Sequence, residues 1–219
     1  MNLWIKICAN TSLEDAQLAV EAGADAVGFV FAPSPRRVTA AQVAVITSHL
    51  PAAVEKIGVF VDASLDEIEA TVRACGLTGV QLHSESGPEL TAGLRQRLGP
   101  GLRILHVVHF GAGAADEAAA IAQDANVDAV LVDSRTATAV GGTGVAFDWA
   151  EARKTVFGGS GSVKLIAAGG LNPENVAEAI ATLRPWGVDV ASGVEAAPGR
   201  KDAAKVKAFV ANARAAEPL

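Results

Sequence analysis

The chain has 219 residues, half of them apolar, with a formal net charge of −6 and two cysteines. Its lysines and arginines form no cluster able to track a nucleic-acid backbone, and no stretch approaches the roughly eighteen uninterrupted apolar residues of a membrane span. A small-molecule partner is expected, with no nucleic acid and no membrane. Cys8 and Cys75 lack metal-ligand spacing, and the amino terminus lacks a signal peptide's basic-then-apolar layout, so a cytoplasmic protein with reduced thiols is expected.

Short apolar runs alternate with Ala-rich, helix-period segments along the chain, the signature of βα units around a parallel sheet. Strands are predicted at Leu3–Cys8, Ala26–Phe31, Ile57–Val61, Gly79–His83, Arg103–Val108, Ala129–Asp133, Lys164–Ala168 and Val188–Ser192. Between them, helices are expected to start at Thr11-Ser12, at Ser64 and at Asn172-Pro173-Glu174, with the proline in a first turn; Gly23 and Gly76 mark helix ends. Eight strands in strict alternation predict an α/β fold, a (β/α)8 TIM barrel forming one domain over residues 1–219. An open doubly wound sheet would place a Gly-rich turn after its first strand, and Cys8-Ala9-Asn10-Thr11 is not one.

A barrel gathers its functional residues at the C-terminal ends of several strands. Phosphate commonly sits between the loops after strands 7 and 8, which here carry Gly169-Gly170 and Ser192-Gly193. A third loop, Gly141-Gly142-Thr143-Gly144 after strand 6, can close the cradle with backbone N–H groups. Asp133 ends strand 6, where desolvation can keep a carboxyl protonated for general-acid work; capping a loop or pairing with Arg135 is the plainer alternative. Cys8 ends strand 1 at the same face and is a candidate general base or nucleophile, whereas Cys75 reads as a core residue.

Arg36 follows Pro33-Ser34-Pro35, a stiff segment suited to presenting a guanidinium to a carboxylate, with Arg37 as its solvated neighbour. His83 either positions substrate or is structural. His106 and His109 are expected to share a side of strand 5 if the run is extended, yet no acidic ligand accompanies them and His83, so no metal site is expected. Lys6, in mid-strand, and Lys164, at the far end of its strand, are poorly placed for a Schiff base.

In several separate motifs, in order, the chain closely resembles the phosphoribosylanthranilate isomerase family. They are Lys6-Ile7-Cys8, Gly23 to Phe31, Ser34-Pro35-Arg36, Val80 to His83, Leu131 to Ser134, Gly141 to Gly144 with Phe147 to Trp149, Ala168 to Asn175, and Ser192 to Glu195 with Pro198-Gly199 and Lys201-Asp202. The resemblance implies a cofactor-independent Amadori rearrangement in tryptophan biosynthesis, acting on a phosphosugar-anthranilate. It assigns Asp133 as the acid that opens the furanose, Cys8 as the base at sugar C2, Arg36 as the grip on the anthranilate carboxylate, and the glycine loops as the phosphate cradle. Ala9, Ser84, Ala191 and Val145 depart from the family's usual residues. Another phosphosugar isomerase or epimerase, or a barrel that only binds a phosphometabolite, are the alternatives, and either a monomer or a homodimer fits.

Overall fold

The computed structural model describes residues 3–83, 87–133, 148–158 and 163–216. Eight parallel strands close on themselves in chain order: β1 (Trp4–Ile7), β2 (Ala26–Val30), β3 (Glu55–Val61), β4 (Gly79–His83), β5 (Arg103–His109), β6 (Ala129–Asp133), β7 (Lys164–Ala168) and β8 (Gly187–Val190). Closure is made by β8 pairing with β1, which sets Lys6 beside Asp189. The helices are α1 (Leu13–Glu21), α2 (Ala40–Thr47), α3 (Leu65–Cys75), α4 (Pro88–Leu98), α5 (Ala114–Ile121), α6 (Trp149–Thr155), α7 (Val176–Leu183) and α8 (Ala203–Ala215). Between β8 and α8 lie a 3-10 turn, Ser192–Val194, and a small antiparallel hairpin of β9 (Glu195–Ala197) and β10 (Arg200–Lys201).

Strand positions agree with expectation, and several ends differ. Cys8 falls just beyond β1, although its N–H still donates to the Val190 carbonyl at 2.8 Å. β8 stops at Val190, since Ser192 has already entered the 3-10 turn. Ser12 and Ser64 cap their helices as expected, Ser64 within a reciprocal capping box, and Gly76 closes α3 in the left-handed region at φ 59°. Asn172-Pro173-Glu174 does not begin a helix. The Asn172 side-chain oxygen accepts from the N–H groups of Glu174 and Asn175, closing a turn, and α7 starts only at Val176.

Each strand is covered on both faces, which is why the runs read as continuously apolar. Ile5, Ile7, Val27, Phe29, Val80 and Leu82 join the layer shared with the helices. A separate inward cluster contains Trp4, Ala26, Ile57, Leu105, Val107, Leu131 and Ile166. At the N-terminal end Trp4 stacks on Trp186, with Arg103 and Lys164 beside the Trp186 ring. Trp4 therefore plugs the barrel floor, and Lys164 is remote from the strand C-termini.

The turn after β1 is under strain. Ala9 has φ 62°, a left-handed conformation that costs an L residue with a Cβ roughly 1–2 kcal/mol. Asn10 holds the turn: its side-chain amide donates to the carbonyls of Ile7 (2.8 Å) and Gly28 (3.2 Å). Part of the relief given by glycine is offset by its looser unfolded chain. Ala9→Gly is accordingly expected to stabilise the protein by about 0.5–1 kcal/mol, read as a higher urea midpoint at unchanged slope; an unchanged or lower midpoint would contradict the strain.

Candidate active site

A cavity of about 380 Å³ opens at the C-terminal ends of the strands. Its lining includes Cys8 after β1, Arg36 after β2, His83 of β4, Asp133 of β6, Gly169 and Gly170 after β7, and Ser192 and Gly193 after β8. Elements far apart in sequence are brought to one mouth because every strand points the same way. Gly142, Thr143 and Gly144, like Arg135, Ser84 and Val145, lie outside the described residues.

The two described glycine loops are shaped by close approach. Gly169 and Gly170 take positive φ, 81° and 66°, and a Cβ on Gly193 would stand 1.9 Å from the Leu171 carbonyl oxygen. Only a residue without a side chain lets the β8 loop cross the β7 loop there. Asn175 braces the pair by donating to the Gly170 carbonyl at 2.9 Å.

Asp133 is the last residue of β6, 2 % exposed, and lies opposite His109 of β5 in the sheet register. His109 lines the cavity and its ring centroid is 6.1 Å from that of His83. The expectation that His106 and His109 share a side is corrected. In an extended strand residues three apart face opposite ways, and His106 is buried away from the cavity lining, its Nδ1 without a hydrogen-bond partner among the described residues. The three histidines do not converge, and among the described residues no three His, Cys, Asp or Glu side chains gather for a metal.

Beneath the cavity lies a polar network that the sequence reading passed over. Lys6 is wholly buried; its ammonium donates to Asp189 Oδ1 and Gln81 Oε1, each at 2.7 Å. Since the Gln81 oxygen faces Lys6, its amide nitrogen faces His83 Nε2 at 2.8 Å and must be the donor. Gly28 makes room for this crossing, because a Cβ there would lie 2.7 Å from Cys8 Sγ and 2.9 Å from Lys6 Cε. The available signal was alternation: Lys6 and Asp189 sit between apolar neighbours that face outward, so both had to face in.

Lys201 on β10 is a second buried ammonium. It donates to the Cys8 carbonyl at 2.6 Å and the Ala191 carbonyl at 3.2 Å, and reaches Glu195 Oε1 at 3.4 Å. Burial pushes the Cys8 thiol up; the charges of Lys6 and Lys201 oppose that shift and the Asp189 carboxylate adds to it. Burial alone would lower Lys6, but Asp189 and Cys8 outweigh it and its affinity for a proton is raised. For Lys201 burial prevails over Glu195 and Cys8, and the shift is downward.

Arg36 is held from two sides. The Ser34 hydroxyl accepts from its backbone N–H at 3.1 Å, closing the Pro33–Arg37 loop, and Arg37 is exposed as expected. Its guanidinium forms a fork with Glu195: Nε to Oε1 at 2.8 Å and Nη2 to Oε2 at 2.7 Å. Sequence reading offered Arg36 to a ligand carboxylate; the structure adds that one edge of the fork is already bound to a protein carboxylate.

The family model described as N-(5'phosphoribosyl)anthranilate (PRA) isomerase matches residues 5–212. An N-(5'-phosphoribosyl)anthranilate isomerase of Geobacter sp. (strain M21) is 44 % identical over 211 residues, covering 96 % of this chain and 97 % of the relative. The crystal structure of the Thermotoga maritima phosphoribosyl anthranilate isomerase superposes with a TM-score of 0.84 at 37 % identity, covering 97 % of this chain and 99 % of that one. A second structure, of such an isomerase in complex with reduced 1-(o-carboxyphenylamino)-1-deoxyribulose 5-phosphate, gives a TM-score of 0.81 at 35 % identity with the same coverage. The fold and the similarity over nearly the whole length agree, and the chain belongs to the N-(5'-phosphoribosyl)anthranilate isomerase family.

Proposed function

We propose that this barrel converts N-(5'-phosphoribosyl)anthranilate to 1-(2-carboxyphenylamino)-1-deoxyribulose 5-phosphate with Asp133 as general acid and Cys8 as general base. One observation carries the assignment of roles. Cys8 after β1 and Asp133 at the end of β6, with β7 and β8 between them in the closed barrel, open into one cavity whose rim holds a guanidinium and two glycine loops. A substrate that carries both a carboxylate and a phosphate has a matching partner for each on that rim.

The chemistry follows from what each group can give. Protonation of the furanose ring oxygen by Asp133 lets the C1–O bond break while the nitrogen lone pair forms C1=N. The thiolate of Cys8 then takes the proton from C2, and the electron pair moves toward the iminium to give an enolamine; protonation at C1 from the Cys8 thiol and return of the C2 hydroxyl proton to the Asp133 carboxylate give the C2 ketone and restore both groups. Substrate and product are isomers, so the proton transfers balance within the reaction. The phosphate is held by the backbone of Gly169, Gly170, Ser192 and Gly193, and His83 lines the cavity beside the sugar.

Cys8 acts only as its thiolate, and the buried thiol is pushed upward, so its base form grows as pH rises through and beyond neutrality. kcat/KM, followed by loss of substrate fluorescence, is expected to climb with pH into the alkaline range. Cys8→Ala should lower it by about 10²- to 10⁴-fold and abolish that rising limb; a variant retaining the limb would exclude Cys8 as the base.

Asp133→Asn keeps size and shape but has no proton of comparable acidity to give. A fall in kcat of about 10²- to 10⁴-fold is expected with the fold intact by circular dichroism. Near-normal turnover by this variant would remove Asp133 from the acid role.

A further inference from the structure

The residue behind Arg36 is a buried carboxylate. Glu195 is 7 % exposed, and its carboxylate receives Arg36 Nε and Nη2, the Gly199 N–H at 3.3 Å and the Lys201 ammonium at 3.4 Å. Its backbone carbonyl also accepts from Lys205 at 3.0 Å, tying the hairpin to α8. Neither β9 nor β10 belongs to the barrel, so this hairpin exists as an addition at the mouth.

We infer that Glu195 is a positioning residue for substrate recognition: it clamps one edge of Arg36 so that the guanidinium meets the ring carboxylate of the substrate in a single orientation. The inference rests on the reading of Arg36 as the carboxylate-binding residue. Arginine on a loop has many rotamers, and fixing it before binding removes an ordering cost from the complex. A planar fork pinned at Nε and one Nη has its plane determined, which an ammonium or a single hydrogen bond would not achieve.

Charge supports the same arrangement. An Arg–Glu pair alone is neutral and offers an incoming carboxylate little attraction. Lys201 stands on the far side of Glu195 with a wholly buried side chain, so the three groups together carry one positive charge. Glu195 is kept ionised here: burial alone would raise it, but the hydrogen bonds from Arg36 and the charge of Lys201 hold it below the usual carboxylate range. Because Lys201 also holds the Cys8 carbonyl, the carboxylate grip and the base sit on one connected frame.

The test separates recognition from folding with two non-reacting probes: the reduced product, and its counterpart made from aniline, which lacks the ring carboxylate. Dissociation constants are measured for the wild type and for Arg36→Met, Glu195→Gln and Glu195→Asp. Loss of roughly one charge-assisted hydrogen bond predicts that both Glu195 variants bind the carboxylated probe at least about tenfold more weakly. The aniline probe should change by no more than about twofold, as expected of an independent site. In turnover the loss should fall on KM more than on kcat.

Glu195→Asp keeps the charge beside Lys201 and withdraws it from Arg36 by one methylene, so it decides the matter even if Glu195→Gln fails to fold. Glu195 variants that keep the wild-type preference while Arg36→Met loses it would overturn the inference and leave the reading of Arg36 standing. Equal weakening of both probes would show a merely structural Glu195 and also overturn it. An Arg36→Met protein that still prefers the carboxylated probe would overturn the reading of Arg36 and the inference together.

Discussion

Everything at the mouth of this barrel is arranged around charge taken out of water. An ion in a protein interior is tolerated only when matched and hydrogen-bonded, and stripping one partner from a buried pair typically costs about 3–5 kcal/mol. Lys6 and Asp189 satisfy that condition across the β1–β8 seam, where the strands that close the barrel meet. The pattern then continues outward: Asp189, Lys6, Cys8, Lys201, Glu195 and Arg36 follow one another with charges that alternate when the thiol is ionised. A thiolate at Cys8 completes the alternation, which gives the proposed base a physical reason to stand there in spite of its burial.

The closed sheet determines where that chain can stand. Parallel strands deliver all their C-terminal ends to one rim, and inward positions recur every second residue, so each strand contributes one or two side chains at the mouth. At the opposite end Trp4 and Trp186 stack and fill the floor. Lower inward positions are apolar, and the polar layer of Lys6, Gln81 and Asp189 separates this dry core from the cavity. The long Lys6 stem spans the barrel because Gly28 leaves space for it. Closure and catalytic electrostatics are thus served by the same residues.

How much of this was legible in the sequence depends on the range of the interaction. Strand positions were readable because burial on both faces leaves unbroken apolar runs, and Ser64 announced its helix by a capping box complete within four residues. Strand-end residues such as Asp133 and Cys8 could be singled out because a barrel turns strand ends into a shared site. Lys6 and Asp189 could not be paired by local reading, being 183 residues apart and matched only through the register of the closing strands. The hairpin of β9 and β10 is too short to show a period, and Glu195 finds Arg36 159 residues away. His106 and His109 were set on one side for want of applying the two-residue period, and Asn172-Pro173 imitated a helix start because an asparagine turn and a cap use the same side-chain bond.

The strained peptide after β1 belongs to the same logic. Ala9 takes a left-handed conformation one residue beyond the thiol, at a position where a glycine would do so without penalty. Such conformations persist only where the surroundings over-determine them. Here the carbonyl before Ala9 is fixed by the Lys201 ammonium, the Cys8 N–H is fixed by Val190, and Asn10 is fastened to both β1 and β2. The hydrogen bonds that force Ala9 into its turn are those that set the direction of the Cys8 side chain, so strain and the placement of this thiol have one cause. Because Lys201 arrives on the hairpin that also carries Glu195, the backbone at Cys8 and the guanidinium of Arg36, which follow the adjacent strands β1 and β2, are referred to a single added element through a few charge-assisted contacts.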